Sequence, residues 1–177
     1  VWSNPNDIAI RFMAGRYSNF DRSAIRKSSV VVPNSEATRI DLQSRYSPPD
    51  DWDCEVIHWG IDTSLFVPMH PDSESETHSM NETRKRYGIS NGESMLLAVG
   101  RLAARKGHGL LLRAFSKVAE STNSHLVIIG RGSLKGRLNR MSARLGISDR
   151  VTIESGMDFE KISEMYRFSQ LLSLIHI

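Results

Sequence analysis

The sequence predicts an α/β protein built on a parallel sheet with helices on both faces, and three observations carry that prediction. First, apolar runs end at glycines in a regular series. Met95 to Val99 stops at Gly100, His125 to Ile129 (HLVII) stops at Gly130, and Val151 to Ile153 ends near Gly156. Second, each run is followed by residues at helical spacing: Leu111, Ala114, Phe115 and Val118; then Leu134, Leu138, Met141 and Leu145; then Phe159 to Phe168. Third, the strands are continuously apolar rather than alternating, as strands buried on both faces must be. Single helices between such strands give a βαβαβα half of a doubly wound domain.

The remaining elements follow in order. Residues 1–27 are polar, with scattered aromatics (Trp2, Phe12, Tyr17, Phe20) and five cations. They fit a globular-domain helix with a solvated basic face, with an amphipathic helix on an anionic membrane as the alternative. Ser29 to Val32 is β-branched and stops at Pro33, which marks a short strand. Asn34 or Ser35 then caps a helix running to about Tyr46, and the SPPDD stretch breaks it. Cys54 to His58 is a second short strand leading into a turn at Gly60. Val67 to Ser79, rich in Pro, His, Ser and Glu, is expected to be a linker, with a short helix from Asn81 to Tyr87 after it.

Composition narrows the function classes. The chain has 177 residues, 40% of them hydrophobic and 24% charged, as in ordinary globular proteins. Its +3 net charge arises from 23 basic and 20 acidic residues. No Lys/Arg block or basic-aromatic stripe marks a nucleic-acid surface, so no nucleic-acid partner is expected. The lone Cys54 excludes an internal disulfide and fits a reducing compartment. No apolar run reaches membrane-spanning length and no signal peptide is evident. A cytoplasmic location is therefore expected, with peripheral association at the inner membrane face left open. The chain begins at Val1, and further sequence is expected before it.

The most informative stretch is MLLAVGRLAARKG, Met95 to Gly107. Glycine allows backbone to approach a ligand, while Arg101 and Lys106 offer a bidentate fork and a point charge to phosphate oxygens. In isolation this is a strand exit with two solvated charges. Placed first in the βαβαβα series, it lies where open α/β sheets hold phosphorylated ligands. The second turn, Gly130-Arg131-Gly132, falls short of a dinucleotide fingerprint, because Lys135 stands where the third glycine would be. His58, His108, His125 and Cys54 have no metal-ligand spacing, and no metal or cofactor is expected. No nucleophile motif occurs, and Asp149, Glu154, Asp158, Glu160 and Glu164 read as caps and surface charges.

Five segments together resemble the retaining glycosyltransferases of family 4, which have the GT-B fold: VVVPNSEATRIDL, VIHWGIDTSLFVP, LLAVGRLAARKGHGLLLRAF, LVIIGRGSLKGRL and LGISDRVTIESGMDFEKISEMY, in the family's order between Val30 and Tyr166. The resemblance implies two Rossmann-like domains facing across a cleft. Residues 1–66 would be the tail of the N-terminal acceptor domain, 67–92 a hinge and short helix, and 93–171 the first part of the C-terminal donor domain. It implies transfer of a sugar, with retention, from a nucleotide-sugar donor to an acceptor of unknown class (lipid, saccharide or small molecule). The residues matching Arg101 and Lys106 hold the donor diphosphate, normally without a metal. Gly100, Gly130, Gly132 and Met157 are expected to border the nucleotide.

The family's paired-glutamate segment, expected a few residues after Ser169, is not in this sequence, so no catalytic residue is assigned and the chain alone is expected to be inactive. The competing readings are a non-catalytic nucleotide-binding module and another GT-B enzyme, an epimerase or phosphorylase. The last six residues, Leu172 to Ile177 (LSLIHI), match codon for codon the translation of a transposase sequencing adapter. Native sequence is therefore expected to stop at or near Leu171. The competing reading is a short apolar strand.

Overall fold

The computed structural model describes residues 21–46, 48, 52–70 and 72–173. The expectations for residues 1–20 and 174–177 lie outside that range. The chain divides into two compact units, residues 1–61 and 62–177.

In the first unit, residues 21–27 are helical (α1) and Glu36–Tyr46 forms α2. Ser35 caps α2 as its type dictates, its Oγ accepting from Thr38 N at 3.1 Å. The two short strands meet in parallel at the Val31–Cys54 bridge. Val31 N donates to Asp53 O at 3.0 Å and Glu55 N to Val31 O at 3.2 Å. Tyr46 Oη donates to Asp21 Oδ2 at 3.0 Å, tying the end of α2 to α1.

The second unit begins at Asp62. Leu65 O accepts from Ser163 Oγ at 2.6 Å, and the Phe66 ring lies 5.9 Å from that of Tyr166. These contacts place both residues with the second unit. The expected linker is also shorter, because α3 spans Glu74–Arg86 and not merely the stretch from Asn81. Ser73 caps it by accepting from Glu76 N at 3.4 Å, and Glu74 and Glu76 lie in the first turn, where the helix dipole favours acids. Glu76 also holds Arg167 at 2.8 Å, both side chains being about four-fifths buried. That ion pair anchors a helix with no buried residue of its own.

The sheet matches the predicted series. β1 (Ser94–Val99), β2 (Ser124–Ile129), β3 (Val151–Glu154) and β4 (Leu171–Leu172) lie in the order β3-β2-β1-β4, all parallel. β4 pairs Leu171 and Leu172 with Leu96 and Leu97. The helices are α4 (His108–Ala119), α5 (Lys135–Arg144) and α6 (Phe159–Phe168). Alternate strand residues feed two cores. Ala98, Leu126, Ile128 and Ile153 pack under Leu112 and Phe115 of α4 and Leu138 of α5. Met95, Leu97, Val127 and Ile129 face Met165 and Phe168 of α6, with Tyr87 and Ile89 following α3. All six residues of β2 are buried, and within it Leu126 to Ile129 form an unbroken apolar run. Chain order reverses between β1 and β4, so the topological switch point lies beside the carboxyl end of β1.

The amino end of the strands holds a buried polar cluster. His125 Nε2 lies 2.9 Å from Thr152 Oγ1, and His125 Nδ1 lies 3.9 Å from Glu93 Oε1. Arg150 donates to the carbonyls of Ala119, Thr122 and Ser124. Burial pushes the His125 pKa below its ordinary 6.5, with Arg150 acting in the same direction and Glu93 and Asp149 opposing. The unfolded chain therefore binds this proton more readily than the folded one, and acidification through pH 6.5 favours unfolding. The melting temperature is expected to fall as pH drops below that value. In His125→Gln the fall over this window should be shallower; an identical pH slope would show that this histidine contributes nothing to it.

Candidate functional site

Three strand-to-helix turns converge at the carboxyl end of the sheet. Gly100 N donates to Ile129 O at 2.9 Å, extending the β1–β2 ladder by one residue. Gly130 N does the same toward Glu154 O at 3.0 Å. The first two turns are also joined to each other: Leu102 N donates to Arg131 O at 2.9 Å and Leu134 N to Leu102 O at 3.2 Å. The close approach explains both glycines of the second turn. A Cβ on Gly130 would sit 1.8 Å from Gly100 O, and one on Gly132 would sit 2.4 Å from Leu102 O. Packing thus accounts for Gly130 and Gly132 without invoking a ligand.

The loop after β1 is fixed at its centre and open at its flanks. Leu102 is 1% exposed and anchors the loop in the core shared with α4 and α5. A single 3₁₀ turn, Ala104–Lys106, leads to Gly107, whose left-handed φ of +63° lets the chain turn into α4. Arg101 is exposed and Lys106 half-buried on either side of Leu102. Neither side chain has a hydrogen-bonded or ion-paired partner among the described residues. No side chain caps the N-terminus of α4, so the positive end of that helix dipole is also available.

His108, the first residue of α4, is the support that sequence reasoning missed. Its Nε2 lies 3.1 Å from Arg101 O; since a carbonyl only accepts, Nε2 carries the proton and donates. The ring is 5% exposed and its Nδ1 is buried without a partner. It pins the backbone of the residue that presents the guanidinium.

The third turn adds a cavity of about 170 Å³ lined by Arg86, Arg131, Glu154, Gly156, Met157, Asp158 and Lys161. Gly156 has φ +91°, and a Cβ there would meet Arg131 Cγ at 2.9 Å, so the Arg131 stem lies directly over this turn. Met157 Sδ lies 4.0 Å from Tyr87 Oη, which packs the residue onto the second core. Arg86 reaches Glu154 at 4.0 Å, a loose and half-solvated pair of little energetic consequence. Glu154 and Asp158, read from the sequence as surface charges, are thus cavity walls. Only the central position of Arg131 in the glycine turn hinted at its part; Arg86, on α3, gave no signal.

The structure therefore brings Gly100, Arg101 and Lys106 to the end of β1, Gly130 and Gly132 to the end of β2, and Met157 to the end of β3. No group of three metal-ligating side chains occurs among the described residues.

Comparison with known proteins places this arrangement. Over 146 residues the chain is 27% identical to an uncharacterized glycosyltransferase of Methanocaldococcus jannaschii, covering 82% of this chain and 36% of that protein. It is 27% identical over 158 residues to the GDP-mannose-dependent alpha-(1-6)-phosphatidylinositol monomannoside mannosyltransferase of Mycolicibacterium smegmatis, covering 86% and 39%. The chain thus spans less than half the length of these relatives. Among solved structures, Anabaena HepE in complex with UDP and glucose superposes with a TM-score of 0.71 at 20% identity, covering 86% of this chain and 39% of that one, so the GT-B architecture is shared. The family model for glycosyl transferases group 1 matches residues 79–174, more than half of the chain, and takes in β1 to β4 with every turn of the site. The chain belongs to the glycosyl transferases group 1 family.

Proposed function

We propose that these residues form the diphosphate- and base-binding part of a retaining transferase, which moves a sugar from a nucleoside diphosphate sugar to an acceptor hydroxyl. The observation that carries this reading is the pair of unpartnered cations, Arg101 and Lys106, beside the uncapped N-terminus of α4 at the switch point of the sheet. As the bond from sugar to phosphate breaks, negative charge grows on the departing diphosphate. Two fixed cations and a helix dipole stabilise that charge more than they stabilise the intact donor, which is the requirement for lowering the barrier. In this reading they supply what a divalent metal supplies in other transferases, so none is required.

The Gly156–Met157 turn and the adjoining cavity receive the nucleotide base. The relative whose name specifies GDP-mannose and the similar structure holding UDP and glucose support a nucleotide-sugar donor. The chain by itself is expected to bind nucleotide without transferring sugar, because its relatives are more than twice as long.

The test is product analysis of the full-length enzyme with a panel of nucleotide sugars and acceptors, with the anomeric configuration read by NMR. A transferred sugar with the donor's anomeric configuration, formed equally well in EDTA, is expected. Inversion at the anomeric carbon, strict metal dependence, or nucleotide binding without transfer to any acceptor would each overturn the assignment as stated.

A further inference from the structure

The charge of this protein is concentrated in a way that its net value conceals. Residues 100–150 hold 11 basic residues and 2 acidic ones, giving +9; the rest of the chain holds 12 basic and 18 acidic, giving −6. Six of these eleven basic residues lie on two neighbouring helices. Neither α4 nor α5 contains a single acidic residue.

The helical period sorts these cations onto one surface. In α5, Leu138, Met141, Ser142 and Leu145 turn toward the core, and Arg137, Arg140 and Arg144, at i, i+3 and i+7, form an exposed stripe. In α4, His108, Leu112, Phe115 and Ala119 are buried, and Leu110, Arg113 and Lys117 form the matching exposed stripe. A Cβ on Gly109 would lie 3.6 Å from Met141 Sδ, which marks the seam between the helices. At 100° per residue, Arg113 lies on the α5 side of α4, and Arg137 and Arg144 lie on the α4 side of α5. Three cations therefore border one seam, Lys117 and Arg140 face outward beside them, and neither helix carries an acid.

Apolar groups stand among these charges. Leu110 is 62% exposed and Val118 is 44% exposed on α4. An aliphatic side chain held out in water within a cationic surface suits a boundary between headgroups and acyl chains. The two aromatic rings of these helices, His108 and Phe115, are both buried, so the face offers no stacking platform for nucleic-acid bases. We propose that the outward face of α4 and α5 docks on an anionic lipid surface, with the arginines and Lys117 on headgroup phosphates and Leu110 inserted between them.

Co-sedimentation of the chain with vesicles tests this. Binding is expected to vesicles of equal parts phosphatidylcholine and phosphatidylglycerol, not to phosphatidylcholine alone, and to weaken as salt rises. Each near-surface cation should contribute about fivefold in partition, so Arg137→Gln, Arg140→Gln and Arg144→Gln combined should lose roughly two orders of magnitude. Leu110→Gln should weaken binding at unchanged charge, and both variants should keep the parent's melting temperature. Neutralising Arg22, Arg26 and Lys27 instead should leave binding in place. The proposal is overturned if anionic vesicles do not bind, if the α5 triple variant binds as the parent does, or if binding depends on residues 22–27. Equal affinity for duplex DNA, with Leu110→Gln silent, would assign the surface to nucleic acid and reject the lipid.

Discussion

Gly130→Ala is expected to be the most damaging single-atom change in this protein. The added Cβ would stand 1.8 Å from Gly100 O and 2.8 Å from Gly100 C, and both atoms are backbone. Neither turn can retreat easily. Gly100 is held to Ile129 O and Gly130 to Glu154 O, while Leu102 is bonded to Arg131 O and rooted in the core. A flexible side chain would swing away at small cost; a hydrogen-bonded main chain must break its ladder. Overpacking of this severity destabilises by about 3 kcal/mol or more, which lowers the melting temperature of a chain this size by roughly 6–12 °C.

Nucleotide affinity should fall with stability, since the same movement carries the Arg101 turn away from the Gly130 turn. For stability, Gly100→Ala is the internal control. A Cβ there meets nothing within 4 Å, and Gly100 has no positive φ to satisfy. A Gly130→Ala protein that melts and binds as the parent does would show that the two turns are not locked together.

That interlock also shows where sequence reasoning succeeded and where it stopped. The strands were legible because burial on both faces leaves an unbroken apolar run, as in Leu126 to Ile129, and because each run ends at a turn glycine. The helix Phe159–Phe168 was legible to the residue from its apolar spacing. By contrast, α3 has one apolar residue in its sequence, Met80, and nothing buried. Its first turn is held by the Ser73 cap and by Arg167, 91 positions away from Glu76, and periodicity carries no record of such a partner.

The site divides in the same way. Arg101 and Lys106 announce themselves by sitting between a strand and a helix. Arg86, Arg131 and Lys161 become neighbours only through the parallel registers and the packing of α3 and α6. The cationic face of α4 and α5 was missed for a related reason. Its charges are spaced three and four apart, so no contiguous block exists in the sequence.

Removing either cation of the proposed diphosphate clamp should produce the largest functional loss. In the full-length enzyme, Arg101→Ala and Lys106→Ala are each expected to lower kcat/KM by about 10²–10³, the scale for deleting one preorganised charge-stabilising group. The division between parameters carries the mechanism. If the cations held donor and departing diphosphate equally, KM would rise and kcat would stay; stabilisation that grows as the bond breaks lowers kcat as well. Arg101 should be the more demanding position. Its backbone carbonyl is fixed by His108 Nε2 at 3.1 Å, and its planar fork can engage two phosphate oxygens together. Arg101→Lys keeps the charge but loses that fork, and should recover only part of the rate. The half-buried Lys106 acts as a point charge, so Lys106→Arg should be limited by room rather than by charge. Steady-state kinetics of the four variants, with melting temperatures measured alongside, separate these effects from unfolding. Unchanged kcat/KM in both alanine variants would remove Arg101 and Lys106 from the reaction and leave their freedom from partners without a function.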